Sequence, residues 1–71
     1  MEKKRMTYKI IFNEKEEIKE LKNEKTIKDI LKELEVSPQT VVIKKNNNIV
    51  DENTKIENND TIKIIQIIYG G

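Results

Sequence analysis

Thr61-Ile-Lys-Ile-Ile-Gln-Ile-Ile-Tyr69, followed at once by Gly70-Gly71, is the stretch on which the reading of this chain turns. Alternation assigns Ile62, Ile64, Gln66 and Ile68 to one side of a strand and Thr61, Lys63, Ile65, Ile67 and Tyr69 to the other. A strand this apolar belongs at the centre of a sheet. Ile62 and Ile64 suit a core, which leaves Ile65 and Ile67 on the opposite face. The two glycines after it are the only ones in the protein, although turns elsewhere would accept glycine and use Asn, Asp or Pro instead. At an average usage near 7% per position, a terminal pair arises by chance in roughly one chain in 200. Lacking Cβ atoms, Gly70 and Gly71 can enter a narrow channel in any backbone conformation and bring a terminal carboxylate to another protein.

Working outward, Met6-Thr-Tyr-Lys-Ile-Ile-Phe12 reads as a first strand, with Met6, Tyr8, Ile10 and Phe12 on one side and Thr7, Lys9 and Ile11 on the other. Asn13 to Lys15 is a polar turn. Glu16 to Leu21 reads as a second strand with Ile18 as its best core candidate, the pair forming an N-terminal hairpin. Ile27, Ile30, Leu31 and Leu34 then fall at i, i+3, i+4 and i+7, the apolar stripe of an amphipathic helix. Thr26 is its N-cap, Asp29 favours the positive end of its dipole, and Pro38 ends it by about Val36 or Ser37.

Thr40 to Lys45 is a third strand, and Asn46-Asn-Asn48 a turn of residues that tolerate positive φ. Ile49-Val50 pairs back as a short fourth strand. Ile56 anchors the following loop, and Asn58-Asn-Asp60 turns the chain into the final strand. The helix stripe needs a flat partner, and only strands remain to supply it. The fold class expected is therefore α+β in two layers: a mixed four- to five-stranded sheet with a helix packed across one face. The first and last strands, the longest and most apolar, should lie adjacent and parallel at its centre.

With 71 residues the chain makes one domain with a small core. Residues 1–5 are expected as a disordered tip, 6–68 as the domain and 69–71 as a flexible tail. Neither cysteine nor histidine occurs, which excludes a thiol nucleophile, an imidazole base and a Cys/His zinc site. The single serine, Ser37, has no histidine to activate it, so an enzyme in its own right is not expected. Fourteen basic and thirteen acidic residues leave a net charge of +1, without the concentrated basic face that nucleic-acid binding needs. No apolar run approaches the roughly 20 residues of a membrane span, and the expected setting is the cytoplasm. Asp51-Glu52 and Glu57 to Asp60 read as solvated loop acids, with no metal expected there.

This pattern resembles the ubiquitin-like β-grasp fold, and more closely the sulfur carriers of the ThiS and MoaD type and the small archaeal ubiquitin-like modifiers. The resemblance covers residues 6–71. It rests on Thr26-Ile-Lys-Asp-Ile-Leu-Lys-Glu-Leu34, on Val41-Val-Ile-Lys-Lys-Asn-Asn-Asn-Ile-Val50, and on Asn59-Asp-Thr-Ile-Lys-Ile-Ile-Gln-Ile-Ile-Tyr-Gly-Gly71. It departs from the family at the closing turn, where Asn58-Asn59-Asp60 replaces a glycine-containing triplet. The resemblance implies a carrier acted on by partners. A ubiquitin-activating-like adenylyltransferase uses ATP and magnesium to make an acyl-adenylate at Gly71, and a sulfur donor then converts it to a thiocarboxylate for a sulfur acceptor enzyme. It implies no bound cofactor, and Gly70 would give the tail its freedom. The same activation could instead join Gly71 to target-protein lysines.

Partner docking is expected on the sheet face opposite the helix, at Ile65, Ile67, Tyr69 and Ile11. Clustered isoleucines on an open face mark an interaction surface, unless a bulge turns some of them inward. Val41 and Ile43 are candidates to join them.

Overall fold

The computed structural model describes residues 5–67. Residues 1–4 and 68–71 lie outside them, and with these most of the expected N-terminal tip, Ile68, and the Tyr69-Gly70-Gly71 tail. In chain order come β1 (Thr7–Phe12), β2 (Lys15–Glu20), β3 (Lys25–Thr26), α1 (Ile27–Leu34), a 3-10 turn (Pro38–Thr40), β4 (Val41–Lys45), β5 (Asn48–Val50), β6 (Lys55–Ile56) and β7 (Thr61–Gln66). Five strands make a mixed sheet in the order β2-β1-β7-β4-β5, and β3 pairs with β6 in a separate two-stranded sheet.

The central pair is β1 and β7, parallel, with Ile10 opposite Ile62 and Phe12 opposite Ile64. Period two then does the rest. Tyr8, Ile10, Ile62, Ile64, Val41 and Ile43 all point to the helix side and are buried, against Ile27, Ile30 and Leu31 of α1. Ile27, Ile30 and Ile62 are wholly inaccessible to solvent. Ile56 is buried in the same core, held by a two-residue ladder too short to be recognised from periodicity. The Tyr8 hydroxyl is also buried and makes no hydrogen bond within 3.5 Å among the described residues, although the Lys25 ammonium interacts with it.

The helix starts where the sequence indicates. The Asp29 carboxylate accepts hydrogen bonds from the Thr26 backbone N–H at 3.0 Å and the Thr26 hydroxyl at 3.4 Å, closing the first turn. It ends earlier than Pro38 requires. Glu35 takes a left-handed conformation, φ 57°, and the Val36 N–H donates back to the Leu31 carbonyl at 2.9 Å. This is a Schellman-type stop, normally a glycine's task, made here by glutamate. Lys25 Nζ donates to Glu33 Oε2 at 2.6 Å and ties β3 to the helix. Glu33's hydrogen bond is the main reason the Lys25 pKa lies above its ordinary 10.5.

One expectation is overturned in β2. Ile18 is 71% exposed rather than buried, and Leu21, just beyond the strand, enters the core instead. The register explains it: Ile18 pairs with Lys9 on the open face, while Glu17 and Lys19 share the core side with Ile10 and Tyr8. As an edge strand, β2 carries no buried residue; its charges blunt the sheet edge. The two-residue turn before it places Asn13 and Glu14 both at positive φ, the primed geometry that suits a tight hairpin.

The turn at Asn46-Asn47 is left-handed as expected, and so is Asn59. These turns are joined by Asp60, a buried carboxylate that composition did not mark out. Its Oδ1 accepts from Asn46 Nδ2 at 2.9 Å, its Oδ2 from the Glu57 N–H at 2.6 Å, and Lys45 Nζ stands 3.3 Å away. Burial raises the pKa of Asp60, but these three donors outweigh it and hold the carboxyl below its ordinary 3.8.

Candidate functional site

The sheet face turned away from α1 is built by the residues that alternate with the core. In register across all five strands lie Glu16, Ile11, Lys63, Lys44 and Ile49. One step along, Ile65 faces Val42. Beyond the strand, the Ile67 N–H donates to the Thr40 carbonyl at 2.8 Å, which fixes where the chain leaves the sheet. From Ile67 four residues remain to Gly71, a reach of about 13–14 Å when extended.

Ile65, in the central strand β7, and Ile67, just beyond that strand, are 38% and 39% exposed. Ile11 is half-buried on the same face. Beside it a shallow groove of about 600 Å³ is lined by Ile11, Asn13, Glu14, Glu16, Lys63 and Ile65, among others. Tyr69, Gly70 and Gly71, the remaining sequence candidates, lie outside the described residues.

Val41 and Ile43 do not join the face. They are buried beneath the helix, because β4 meets β7 with Ile43 opposite Ile64 and Val41 opposite Gln66. The intervening residues, Val42 and Lys44, occupy the open side. Ile49, 74% exposed, extends the patch to the far edge and was not foreseen. Its signal was available: Ile49 follows a two-residue asparagine turn and so pairs with Lys44, whose side is set by Ile43 being core.

The loop acids have structural occupations. The Asp51 carboxylate accepts from the Asn53 N–H at 3.0 Å and the Thr54 hydroxyl at 3.3 Å, and Asp60 organises the turn that begins at Glu57. Among the described residues no group of three or more acidic, histidine or cysteine side chains is placed to hold a metal ion. No helix among them is long and apolar enough to cross a membrane.

A mixed sheet with parallel central strands β1 and β7 and a helix crossing one face defines the ubiquitin-like β-grasp class. The comparison with known families narrows this: the model described as the ThiS family matches residues 8–71. The chain belongs to the ThiS family, whose members are small sulfur carriers rather than enzymes and which implies an activating enzyme and sulfur-transfer partners. No curated protein matches it.

Proposed function

We propose that Gly71 is the sulfur-bearing residue, made reactive by adenylation and then converted to a thiocarboxylate. A carboxylate resists nucleophiles because its charge is delocalised and its leaving group would be oxide. An activating enzyme of the ubiquitin-activating type, using ATP and magnesium, joins the Gly71 carboxylate to AMP and releases pyrophosphate. A sulfur nucleophile, hydrosulfide or a persulfide, then attacks the acyl carbon, the bond to the AMP oxygen breaks, and AMP leaves. With hydrosulfide the product is the thiocarboxylate directly; with a persulfide, a thiol must afterwards reduce the acyl disulfide.

The supporting observation is a family match that runs through Gly71, on a chain that carries exposed Ile65 in β7 and exposed Ile67 just beyond it, ahead of that tail. The body supplies recognition and the tail supplies the reacting atom. Ile65, Ile67, Tyr69 and Ile11 dock the partner, Gly70 lets the end thread an active site, and a side chain at position 71 would crowd the attacked carbon. The sulfur acceptor belongs to thiamine or molybdopterin biosynthesis or to tRNA thiolation.

Intact mass spectrometry decides the matter. Incubation with the activating enzyme of the same organism, ATP, magnesium and a sulfide source should add the mass difference between sulfur and oxygen. Deleting Gly70 and Gly71 should abolish that gain. Adenylation with no subsequent exchange of oxygen for sulfur would overturn the proposal. Lysine-linked adducts in its place would assign Gly71 to protein modification.

A further inference from the structure

We propose that Lys44 and Lys63 form a receptor for a carboxylate that the activating enzyme presents within an otherwise apolar docking surface; this rests on the carrier reading above. The two lysines are direct cross-strand partners on the open face of the sheet. Like charges placed opposite one another across an antiparallel pair repel. Three other lysines of the sheet are balanced: Lys9 has Glu16 at 3.4 Å, Lys19 has Glu17 at 3.5 Å, and Lys45 has Asp60 at 3.3 Å. Lys15, at the start of the edge strand β2, is not balanced among the described residues, but it has no like charge opposite it, facing Phe12. Lys44 and Lys63 make no ion pair among the described residues. Glu16, the acid in their row, stands two strands from Lys63 and is already engaged by Lys9.

The surroundings make the pair a site rather than a solvated stripe. Ile11 is the cross-strand neighbour of Lys63, Ile49 that of Lys44, and Val42 and Ile65 lie one step along. A partner that covers these isoleucines must also take two ammonium groups out of water, which is costly without a counter-charge. One carboxylate has two oxygens and can bridge both. The partner surface is therefore apolar with an aspartate or glutamate at its centre, and a neutral or basic surface of the same shape is rejected.

The test is ATP–pyrophosphate exchange by the activating enzyme of the same organism, with the full-length carrier as varied substrate, at low and high salt. The double variant K44Q/K63Q should raise KM about tenfold, change kcat by less than about twofold, and remove most of the salt dependence. Ile65→Thr should also raise KM but keep the salt dependence. In thermal unfolding the double variant should be at least as stable as the parent, since a repulsive pair has gone. Exchange by the parent with an unaltered KM for K44Q/K63Q would overturn this inference and leave the carrier reading standing. No exchange by the parent would sink the carrier reading itself. Inhibition by added inorganic phosphate that vanishes in the double variant would assign the lysines to a phosphate-bearing ligand and overturn the carboxylate proposal.

Discussion

Asn46 and Asp60 hold two turns together across fourteen positions of sequence, the asparagine amide donating to the carboxylate at 2.9 Å. The same asparagine accepts the Thr61 N–H through its Oδ1 at 2.9 Å, so its orientation is fixed. Around Asp60 stand only donors: the Asn46 amide, the Glu57 N–H and the Lys45 ammonium. Asp60→Asn would set a new amide donor against one of them, and Asn46 cannot flip without losing Thr61. The variant should lose about 1–3 kcal/mol, readable in urea unfolding, and Asn46→Asp made alone should also destabilise, because it brings two carboxylates together. An unchanged midpoint would show that the buried network contributes nothing.

The same carboxylate gives the fold an acid limit. Its folded pKa lies below the ordinary 3.8 because the Glu57, Asn46 and Lys45 contacts outweigh the effect of burial. A depressed folded value means that the unfolded chain binds this proton more readily. The contribution is therefore complete above the unfolded value and drains away as pH falls through 3.8 towards the folded value. Melting temperature measured against pH should drop in that acid window, and Asp60→Asn should flatten the drop. A slope identical in the variant would place the acid sensitivity elsewhere.

Much of this molecule can be read from its residues because period and turn chemistry agree. Ile27, Ile30, Leu31 and Leu34 specify the helix, Asn46-Asn47 and Asn59 specify left-handed turns, and the apolar content of β1 and β7 places them together at the centre. Ile65 and Ile67 follow from alternation alone. What escaped was set by pairing rather than composition. Ile18 looks like a core residue until the hairpin register sends it to the open side with Lys9. Asp60 looks like any turn acid, because burial of a carboxylate depends on three donors converging from distant positions. Lys44 and Lys63 are ordinary surface lysines until the β4–β7 ladder sets them face to face.

That reading of β2 can be checked against the core. Ile62, fully buried between β1 and β4, should cost about 2–5 kcal/mol when cut to alanine. Ile18→Thr, at a residue 71% exposed on an edge strand, should stay within about 0.5 kcal/mol of the parent. Chemical denaturation of both variants separates the two. A loss at Ile18 comparable to that at Ile62 would mean that β2 packs inward after all.

Glu35 offers a gain instead of a loss. It ends the helix at φ 57°, a conformation in which its Cβ crowds the following carbonyl. Glycine would remove that clash but would also make the unfolded chain more flexible. The first effect is the larger at a left-handed helix stop, so Glu35→Gly should stabilise by about 0.5–1 kcal/mol. A lower melting temperature for this variant would show that the glutamate side chain makes a compensating contact.

Ile65 is the residue at which the proposed docking can be tested. It sits opposite Val42 on the open face, 38% exposed, so the free protein leaves much of its apolar surface in water. A partner that covers it recovers that area, at roughly 25 cal/mol for each Å². Threonine keeps the β-branch that suits a strand while substituting a hydroxyl for much of the apolar surface. Ile65→Thr should therefore weaken binding to the activating enzyme by about tenfold, or 1.4 kcal/mol, with a small change in folding stability. Titration calorimetry with the isolated enzyme measures the first quantity and thermal unfolding the second. If affinity holds while stability falls, the isoleucine belongs to the packing of β7 against β4, and the partner reads some other part of the sheet.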